Sequence, residues 1–367
     1  MTLTSTLQAT LLRHQQAIDS ALHSAFERLA ERDDTHNLQE YYGQMRYHLG
    51  WVDRHFQAMR SNAGKLMRPT LLLLAYEAVG SWEQTSNPDY LRRALPAAAA
   101  VELTHNFTLI HDDIVDGDTE RHHRPTLWTV WGMPNGINSG DGMFALSRLA
   151  LWGVLDEGVE GDIAARLGAC LDKACLVVAE GQYLDVSFEG RQDISVSMYI
   201  DMIRRKTAEL MACSAEMGAR LSTRNEEAIT RLRSFGEAIG IAFQVRDDLL
   251  GVWASREELG KTEAGDIYRR KQSLPILHAR EQATPEEQAA LTRIYQQAEP
   301  LEKEQVDEVL AILERTGTRD YCRQFLAQQS ERAREALASV PAQQAEVSTR
   351  AMEDMRVLID FVAAAAQ

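Results

Sequence analysis

Two clusters of aspartate are the residues of this chain best suited to metal chemistry. Asp112, Asp113 and Asp116 follow one apolar stretch, and Asp247 and Asp248 lie far downstream. Crowded carboxylates raise the free-energy cost of ionising one another. A hard divalent cation offsets that cost, and Mg²⁺ prefers a few carboxylates completed by water and by phosphate oxygens. The two clusters therefore predict an enzyme that acts on a diphosphate with Mg²⁺.

The spacing of the first cluster predicts which side chains share a site. On a helix, positions i and i+4 lie on one face, so Asp112 and Asp116 can point together while Asp113 turns roughly 100° away. Each cluster precedes a glycine, Gly117 or Gly251, as at a helix C-terminus, where the backbone dipole disfavours negative charge. A solvated acidic turn is the alternative for the first cluster alone. The second cluster, on an apolar helix, favours a polar cavity.

Basic side chains recur close to both clusters. Lys65 and Arg68 come directly before an apolar helix that continues from Leu71. Cations at a helix N-terminus oppose its dipole, so a bound anion explains them better than helix stability does. An exposed basic turn is the alternative. The other basic residues near the clusters are Arg121, Arg124, Lys206, Lys261, Arg269, Arg270 and Lys271.

Composition limits the class of protein. The 367 residues carry a net charge of −15, which argues against a nucleic-acid partner because phosphate backbones need a basic surface. The four cysteines lack the spacing of a zinc site, which predicts reduced thiols and a cytoplasmic protein. Residues Met1–Phe26 lack the pattern of a signal peptide. No stretch approaches the ~20 apolar residues of a transmembrane helix.

Helices must position these residues. Between Glu226 and Leu250, apolar side chains recur with the period of an α-helix. Thr284, Pro285 and Glu287 form the signature of a capped helix start. Strand patterns are scarce, and no linker or repeat divides the chain. We therefore predict an all-α fold in a single domain, residues 1–367, in which 1–60 and 340–367 are flanking helices of the same body.

The ordered motifs of residues 64–275 resemble those of the trans-isoprenyl diphosphate synthases, the polyprenyl synthetase family. No single motif is decisive, but the ordered set is specific. The residues that carry the resemblance are Gly64, Lys65, Arg68 and Pro69; His105; Leu109 to Asp113 and Asp116; Arg121, Pro125 and Thr126; Gly181, Gln182 and Asp185; Lys206 to Ala208; Phe243, Gln244, Asp247 and Asp248; Gly260, Lys261, Asp266, Lys271, Leu274 and Pro275.

The resemblance implies a fold, an assembly and a reaction. It implies a single large helical bundle of the isoprenoid synthase type around a deep apolar pocket, in a homodimer. The implied reaction is the condensation of isopentenyl diphosphate with an allylic diphosphate. The allylic diphosphate ionises, the double bond of isopentenyl diphosphate attacks the cation, and a proton leaves. Three Mg²⁺ ions per active site would stabilise the departing diphosphate.

The resemblance also implies roles for individual residues. The metal ligands would be Asp112, Asp116, Asp247 and Asp248. The other catalytic residues would be Asp113, Lys206, Thr207 and Gln244. Isopentenyl diphosphate would contact Lys65, Arg68 and His105, and the allylic diphosphate would contact Arg121, Lys206 and Lys261, with His122 and Lys271 as further substrate-binding residues. Phe107 and Thr108 would form the floor of the chain pocket, and one aromatic beside a small residue predicts a C20 product, with C15 next.

Two positions depart from the family pattern. Gly251 stands where the second acidic motif often ends in another aspartate. His122 stands where the family usually has the second of two adjacent arginines, and a neutral imidazole binds diphosphate less well than a guanidinium does. We hypothesise that bound diphosphate keeps His122 protonated, or that Arg124 takes the place of the missing arginine.

Three other interpretations remain open on sequence alone. A class I terpene cyclase shares the acidic motifs but does not need the second diphosphate site formed by Lys65, Arg68 and His105. A di-iron helical oxidoreductase uses Glu-x-x-His pairs, and this chain has that spacing at Glu102/His105 and at Glu120/His123. A catalytically silent partner subunit is the third possibility.

Overall fold

A computed structural model describes residues 3–30, 36–59, 64–82, 88–254, 264–341 and 343–366. Within these ranges the chain is almost entirely helical, with one two-stranded hairpin as its only sheet. The prediction of an all-α fold is therefore confirmed.

The helices, in chain order, are α1 (Leu3–Ala30), α2 (Gln39–His48), α3 (Met67–Val79), α4 (Leu95–Val115), α5 (Leu127–Trp131), α6 (Met133–Trp152), α7 (Gly161–Phe188), α8 (Val196–Ile203), α9 (Glu209–Ser222), α10 (Glu226–Trp253), α11 (Gly265–Tyr268), α12 (Leu274–Gln282), α13 (Pro285–Gln296), α14 (Lys303–Arg315), α15 (Thr318–Ala338) and α16 (Glu346–Ala363). A π-helical turn, Arg204–Ala208, joins α8 to α9. The strands are β1 (Glu120–Arg121) and β2 (Arg124–Pro125), and short 3₁₀ turns lie at His36–Leu38, Pro88–Leu91 and Ala364–Ala366.

Helix α3 lies at the centre of the bundle. Its apolar run Leu71–Leu74 has no exposed surface, because α3 packs against α9, α16, α4 and α1 at once. An all-round apolar helix of this kind belongs in a core. Gly218 of α9 permits the closest approach, since a Cβ there would overlap the backbone oxygen of Leu72.

The sequence patterns of α10 and α13 are confirmed. The buried stripe of α10 includes Ile229, Leu232, Phe235 and Ile239. At α13, the Thr284 side chain accepts from the backbone N–H of Glu287, and the Glu287 carboxylate accepts from the N–H of Thr284. This reciprocal pair fixes the start of the helix.

Buried charges hold the first and last long helices against α3. The Glu77 carboxylate of α3 is fully buried and lies 2.8 Å from Arg13 Nη2 and 3.0 Å from His14 Nε2, both on α1. Arg13 also lies 2.7 Å from Asp354 of α16. Burial alone would raise the pKa of Glu77, but His14, Arg13 and the Tyr90 hydroxyl outweigh it and lower that pKa.

None of the described helices is long and apolar enough to cross a membrane.

The hairpin after α4 was not predicted. β1 and β2 pair antiparallel, with Arg121 opposite Arg124. The two turn residues, His122 and His123, have φ values of 51° and 61°, as a type I′ turn requires. Such turns usually contain Asn-Gly, so two histidines give no turn signal in the sequence.

Candidate active site

A cavity of about 750 Å³ opens between α3, α4, α7, α9 and α10. Its volume is typical of a ligand site. A smaller cavity of about 390 Å³ adjoins it beside the hairpin, and the two share His48, Gly64, Lys65, Arg121 and His122. The predicted residues that line the larger cavity are Lys65, Arg68, His105, Phe107, Thr108, Asp112, Arg121, His122, Lys206, Thr207, Gln244 and Asp247.

The first acidic cluster lies at the C-terminus of α4, as its glycine indicated. α4 ends at Val115, and Asp116 is its C-cap. Asp112 lines the cavity, whereas the Asp113 side chain is buried on the other side, where it accepts from Arg121 Nε at 2.6 Å. Asp113 therefore orients Arg121 from the smaller cavity and does not face the larger one.

The ionisation of this cluster reflects burial and crowding. The pKa of Asp112 is raised to about 6, because burial and the neighbouring Asp116 together outweigh the lowering effect of Lys206 and Arg121. Burial likewise raises the pKa of Asp113 to about 6 and also raises that of Asp116. A nearby cation is the usual means of keeping such groups ionised.

The π-helical turn positions Lys206 and Thr207 opposite these carboxylates. Lys206 Nζ lies 2.6 Å from Asp185 of α7, and the Thr207 hydroxyl donates to Gln244 Oε1 at 3.2 Å. Burial lowers the pKa of Lys206, but Asp112 and Asp185 outweigh it, so the net shift is upward and the ammonium stays charged. Such turns often mark functional sites because they redirect side chains within a helix.

Two glycines let neighbouring helices reach the backbone of this turn. A Cβ on Gly181 of α7 would overlap the amide nitrogen of Lys206 and lie 2.7 Å from its Cα. A Cβ on Gly240 of α10 would lie 2.5 Å from the Cα of Ala208. Glycine at both positions therefore holds the turn between α7 and α10.

The two carboxylates of the second cluster are not equivalent. Asp247 lines the cavity with its side chain half exposed, and burial raises its pKa while Arg246 and Lys65 lower it. Asp248 is fully buried; its oxygens accept from the Tyr199 hydroxyl at 2.5 Å and from Gln244 Nε2 at 3.1 Å. The geometry does not support the predicted metal role of Asp248, because protein donors already occupy its oxygens.

The absent side chain at Gly251 makes room for another carboxylate. A Cβ on Gly251 would lie 2.5 Å from Cγ of Asp266, which is buried at the start of α11. Lys271 Nζ lies 3.4 Å from Asp248 and 3.8 Å from Asp266. The structure places the predicted substrate-binding residue Lys271 against these two carboxylates and outside the cavity lining. The predicted residue Lys261 lies outside the described residues.

A basic subsite forms where α3 and α4 meet. Arg68, in the first turn of α3, has a buried Nε without a hydrogen-bond partner in the described part of the chain. Burial lowers the pKa of Arg68, and Glu102 opposes that shift. Burial lowers the pKa of His105 well below its usual range, and Arg68, Arg121 and His48 add to the effect. An anion would relieve this concentration of positive charge.

His48, the last residue of α2, is a subsite residue that the sequence did not reveal. It lines both cavities. Burial lowers its pKa to about 3, with Arg121, His122 and Arg124 adding to the shift. No motif marks this position, because α2 reaches the subsite only through tertiary packing.

Asp185 belongs to one of the motifs that carry the resemblance, but the sequence assigned it no role. Its contact with Lys206 indicates that it positions that lysine.

The contacts of Arg124 do not fit the hypothesis that this residue replaces the missing arginine. Its guanidinium donates to the backbone oxygens of Tyr47 at 3.0 Å and Val52 at 2.9 Å. It also lies 4.1 Å from the centre of the Tyr47 ring. Arg124 therefore anchors the hairpin to α2. His122 lines both cavities, so it remains the candidate at that position.

The predicted floor residues lie on the α4 face of the cavity. The Phe107 ring packs edge-on against Phe144 of α6, with 5.1 Å between ring centres. The Thr108 hydroxyl donates to the backbone oxygen of His105 at 2.7 Å, which leaves its methyl group for the cavity. Cys175 and Val178 of α7 line the cavity as well.

The two Glu-x-x-His pairs do not form a di-iron site. Glu120 and His123 lie on the hairpin, where no bundle helix can present them. Glu102 accepts from the Asn106 amide at 2.9 Å and faces Arg68. The di-iron alternative is therefore wrong, because its two pairs lie on unlike elements.

Comparison with known proteins identifies the family of this chain. The sequence profile of the family described as Polyprenyl synthetase matches residues 50–313. A (2E,6E)-farnesyl diphosphate synthase of Mycobacterium tuberculosis is 39% identical over 230 residues, 63% of this chain and 60% of that protein. A geranylgeranyl diphosphate synthase of the same organism is 36% identical over 274 residues, 74% of each chain.

The solved structures extend the likeness to nearly the whole chain. The crystal structure of a polyprenyl synthetase from Streptomyces coelicolor A3(2) gives a TM-score of 0.83 at 32% identity, over 97% of this chain and 99% of that one. The motifs, the helical bundle around one cavity and the family profile agree, and the chain belongs to the polyprenyl synthetase family.

Proposed function

We propose that this protein is a Mg²⁺-dependent prenyltransferase that condenses isopentenyl diphosphate with an allylic diphosphate. One observation carries the proposal: a single cavity combines carboxylates, two groups of cations and an apolar floor. The carboxylates Asp112 and Asp247 suit a metal-bound diphosphate. The apolar floor at Phe107 suits a hydrocarbon chain. We also propose that residues 1–367 form one domain, since α1 and α16 both pack on α3.

The donor set of the cavity fits Mg²⁺. Asp112, Asp116 and Asp247 would hold the ions, with three ions per site when substrate is bound. Asp112 of α4 and Asp247 of α10 line the cavity, and Asp116 lies at the C-cap of α4. Carboxylates supplied by two different helices suit Mg²⁺, which keeps several waters and takes phosphate oxygens from the substrate. Bound Mg²⁺ would act as a Lewis acid toward the departing diphosphate.

The cavity would bind the two diphosphates in two separate anion subsites. Lys206 and Arg121, each held by an aspartate, would bind the allylic diphosphate and stabilise its charge as it leaves. Thr207 and Gln244 would line the reaction centre, where their oxygens lie near the developing cation. The two bound substrates would fill the cavity and exclude water that would otherwise quench the cation. The proton lost at the end would pass to the released diphosphate.

The basic subsite argues against a terpene cyclase. Arg68 and Lys65 form a second concentration of positive charge beside the first, and the neutral imidazole of His105 lies in the same part of the cavity. A cyclase rearranges one diphosphate and does not need it, whereas a condensing enzyme must bind two. We therefore assign isopentenyl diphosphate to this subsite, with His122 and His48 beside it.

A homodimer is proposed from the outer surface of α6 and α7. Large apolar side chains are exposed on both helices, and exposed apolar surface of this kind suits an interaction site. They are Met133, Ile137, Phe144, Leu149 and Trp152 on α6, and Leu176, Tyr183 and Val186 on α7. Leu176→Asp should convert the dimer to a monomer in sedimentation experiments; a wild-type monomer would refute the proposal.

The test of the reaction is direct. The protein is incubated with Mg²⁺, labelled isopentenyl diphosphate and C5, C10 or C15 allylic diphosphates, and the product length is measured. We expect elongation, with C20 as the main product and C15 next. Asp112→Asn should abolish it without unfolding the protein. Failure to elongate any primer would refute the function.

A further inference from the structure

A second layer of side chains lies directly behind the floor of the cavity. Phe107, the proposed floor residue, and Cys175 of α7 both line the cavity. Behind Phe107 lies Phe144, with 5.1 Å between ring centres. Behind Cys175 lies the guanidinium of Arg148, whose Nη2 donates to the sulfur at 2.9 Å. The two α6 residues also stack on each other, since the guanidinium carbon of Arg148 lies 4.9 Å from the centre of the Phe144 ring.

Among the described residues, the guanidinium of Arg148 has hydrogen-bond partners only at Nη2, which also donates to the backbone oxygen of Leu171 at 3.4 Å. Its Nη2 lies 2.9 Å from Asp172 of α7. Its Nε and Nη1 are buried without a hydrogen-bond partner among the described residues, and its side chain is only 17% exposed. A hydrocarbon chain that advanced past the floor would displace it from Cys175 and surround it with apolar groups. Asp172 would remain its charged partner, but the loss of the sulfur contact and of solvent around a partly paired charge is costly.

We propose that Arg148 is a specificity-determining residue that limits product length behind Phe107. It acts through Phe144 and Cys175, so it is a positioning residue and not a catalytic one. The proposal rests on the proposed prenyltransferase function and deepens it. In the wild-type protein the Phe107 ring limits the growing chain sterically. When that ring is removed, the charge of Arg148 opposes further extension of the chain.

This arrangement predicts that the effect of Arg148 on product length depends on whether the Phe107 ring is present. Phe107→Ala should lengthen the product, but only until the chain meets Arg148. Arg148→Met keeps the apolar stem and removes the charge, so alone it should change product length little, because Phe107 still closes the pocket. The double variant should give a main product at least one isoprene unit longer than that of Phe107→Ala.

Two control variants separate the effect of the Arg148 charge from a general loosening of the packing. In the Phe107→Ala background, Arg148→Lys keeps a cation and should give the product of Phe107→Ala alone. Arg220→Met removes another partly buried arginine, which pairs with Glu216 on α9 away from the cavity, and should likewise leave product length unchanged. Arg148→Gln, which also lacks the charge, replaces Arg148→Met if the latter does not fold.

The readout is product length by chromatography, with the melting temperature of each variant recorded beside it. A double variant with the same product as Phe107→Ala would overturn the proposal, and so would equal lengthening by Arg148→Lys or Arg220→Met. These results differ from failure of the proposed function, in which the wild-type protein itself elongates no primer.

Discussion

Gly181→Ala should reduce activity far more than stability. The added Cβ would lie 2.7 Å from the Cα of Lys206, against the 3.4 Å at which ordinary contact begins. The shortfall, 3.4 − 2.7, is 0.7 Å, and the overlap with the Lys206 amide is more severe. Both atoms are backbone, so the π-helical turn itself must move away from α7, and Lys206 and Thr207 move with it.

The expected magnitudes follow from that displacement. A misplacement approaching 1 Å at a reaction centre costs about 100-fold in rate, which corresponds to about 2.7 kcal/mol in the activation free energy. Overpacking costs about 1–3 kcal/mol of stability, but replacing glycine within a helix returns about 1 kcal/mol. The net loss of folding free energy should therefore stay below about 2 kcal/mol.

A second glycine of α7 supplies the matched control. A Cβ on Gly168 would lie 3.4 Å from the Trp152 ring, which is ordinary contact. Gly168→Ala should therefore keep full activity and be neutral or slightly stabilising. The assay compares kcat/KM for labelled isopentenyl diphosphate with the free energy of unfolding in urea. Wild-type kcat/KM in Gly181→Ala, or an equal loss in Gly168→Ala, would refute the reasoning.

Three further predictions concern single carboxylates and one histidine. Glu77→Ala should cost about 3–5 kcal/mol in urea unfolding, because it leaves Arg13 and His14 buried without their carboxylate. Since the folded pKa of Glu77 is lowered, its stabilisation is present at neutral pH and is lost as pH falls through that pKa; a Glu77→Ala protein with unchanged acid sensitivity would contradict this. Asp248→Asn should cost about 1–3 kcal/mol of stability, whereas Asp247→Asn should lower kcat/KM and leave the melting temperature unchanged; the reverse pattern would restore Asp248 as a ligand. At alkaline pH, where a histidine loses its proton, His122→Arg should lower KM for isopentenyl diphosphate about tenfold, because a charged hydrogen bond contributes about 1.5 kcal/mol or more. The variant should therefore have a flatter pH profile; identical profiles would exclude His122 from the subsite.

The sequence determined the fold class and the chemistry of the site. Helical periodicity and caps are local properties, so α10 and the capped start of α13 could be predicted from neighbouring residues alone. The direction of Asp113 away from Asp112 likewise follows from helix geometry. The order of the motifs identified the family, because each motif is a set of residue types at fixed spacing that can be read from the chain alone.

Only the tertiary structure decided which contacts form between residues that are distant in the chain. The sequence presents Asp247 and Asp248 as a pair, but Tyr199 and Gln244 occupy the oxygens of Asp248. Arg124 resembles a replacement for an arginine until its contacts with Tyr47 and Val52 are seen. His48 reaches the basic subsite and Arg148 the back of the floor through packing that no local pattern encodes. The aspartate clusters predicted a metal-binding site because charge type can be read directly from the sequence. Which carboxylate is free to bind depends on which donors the fold brings to it.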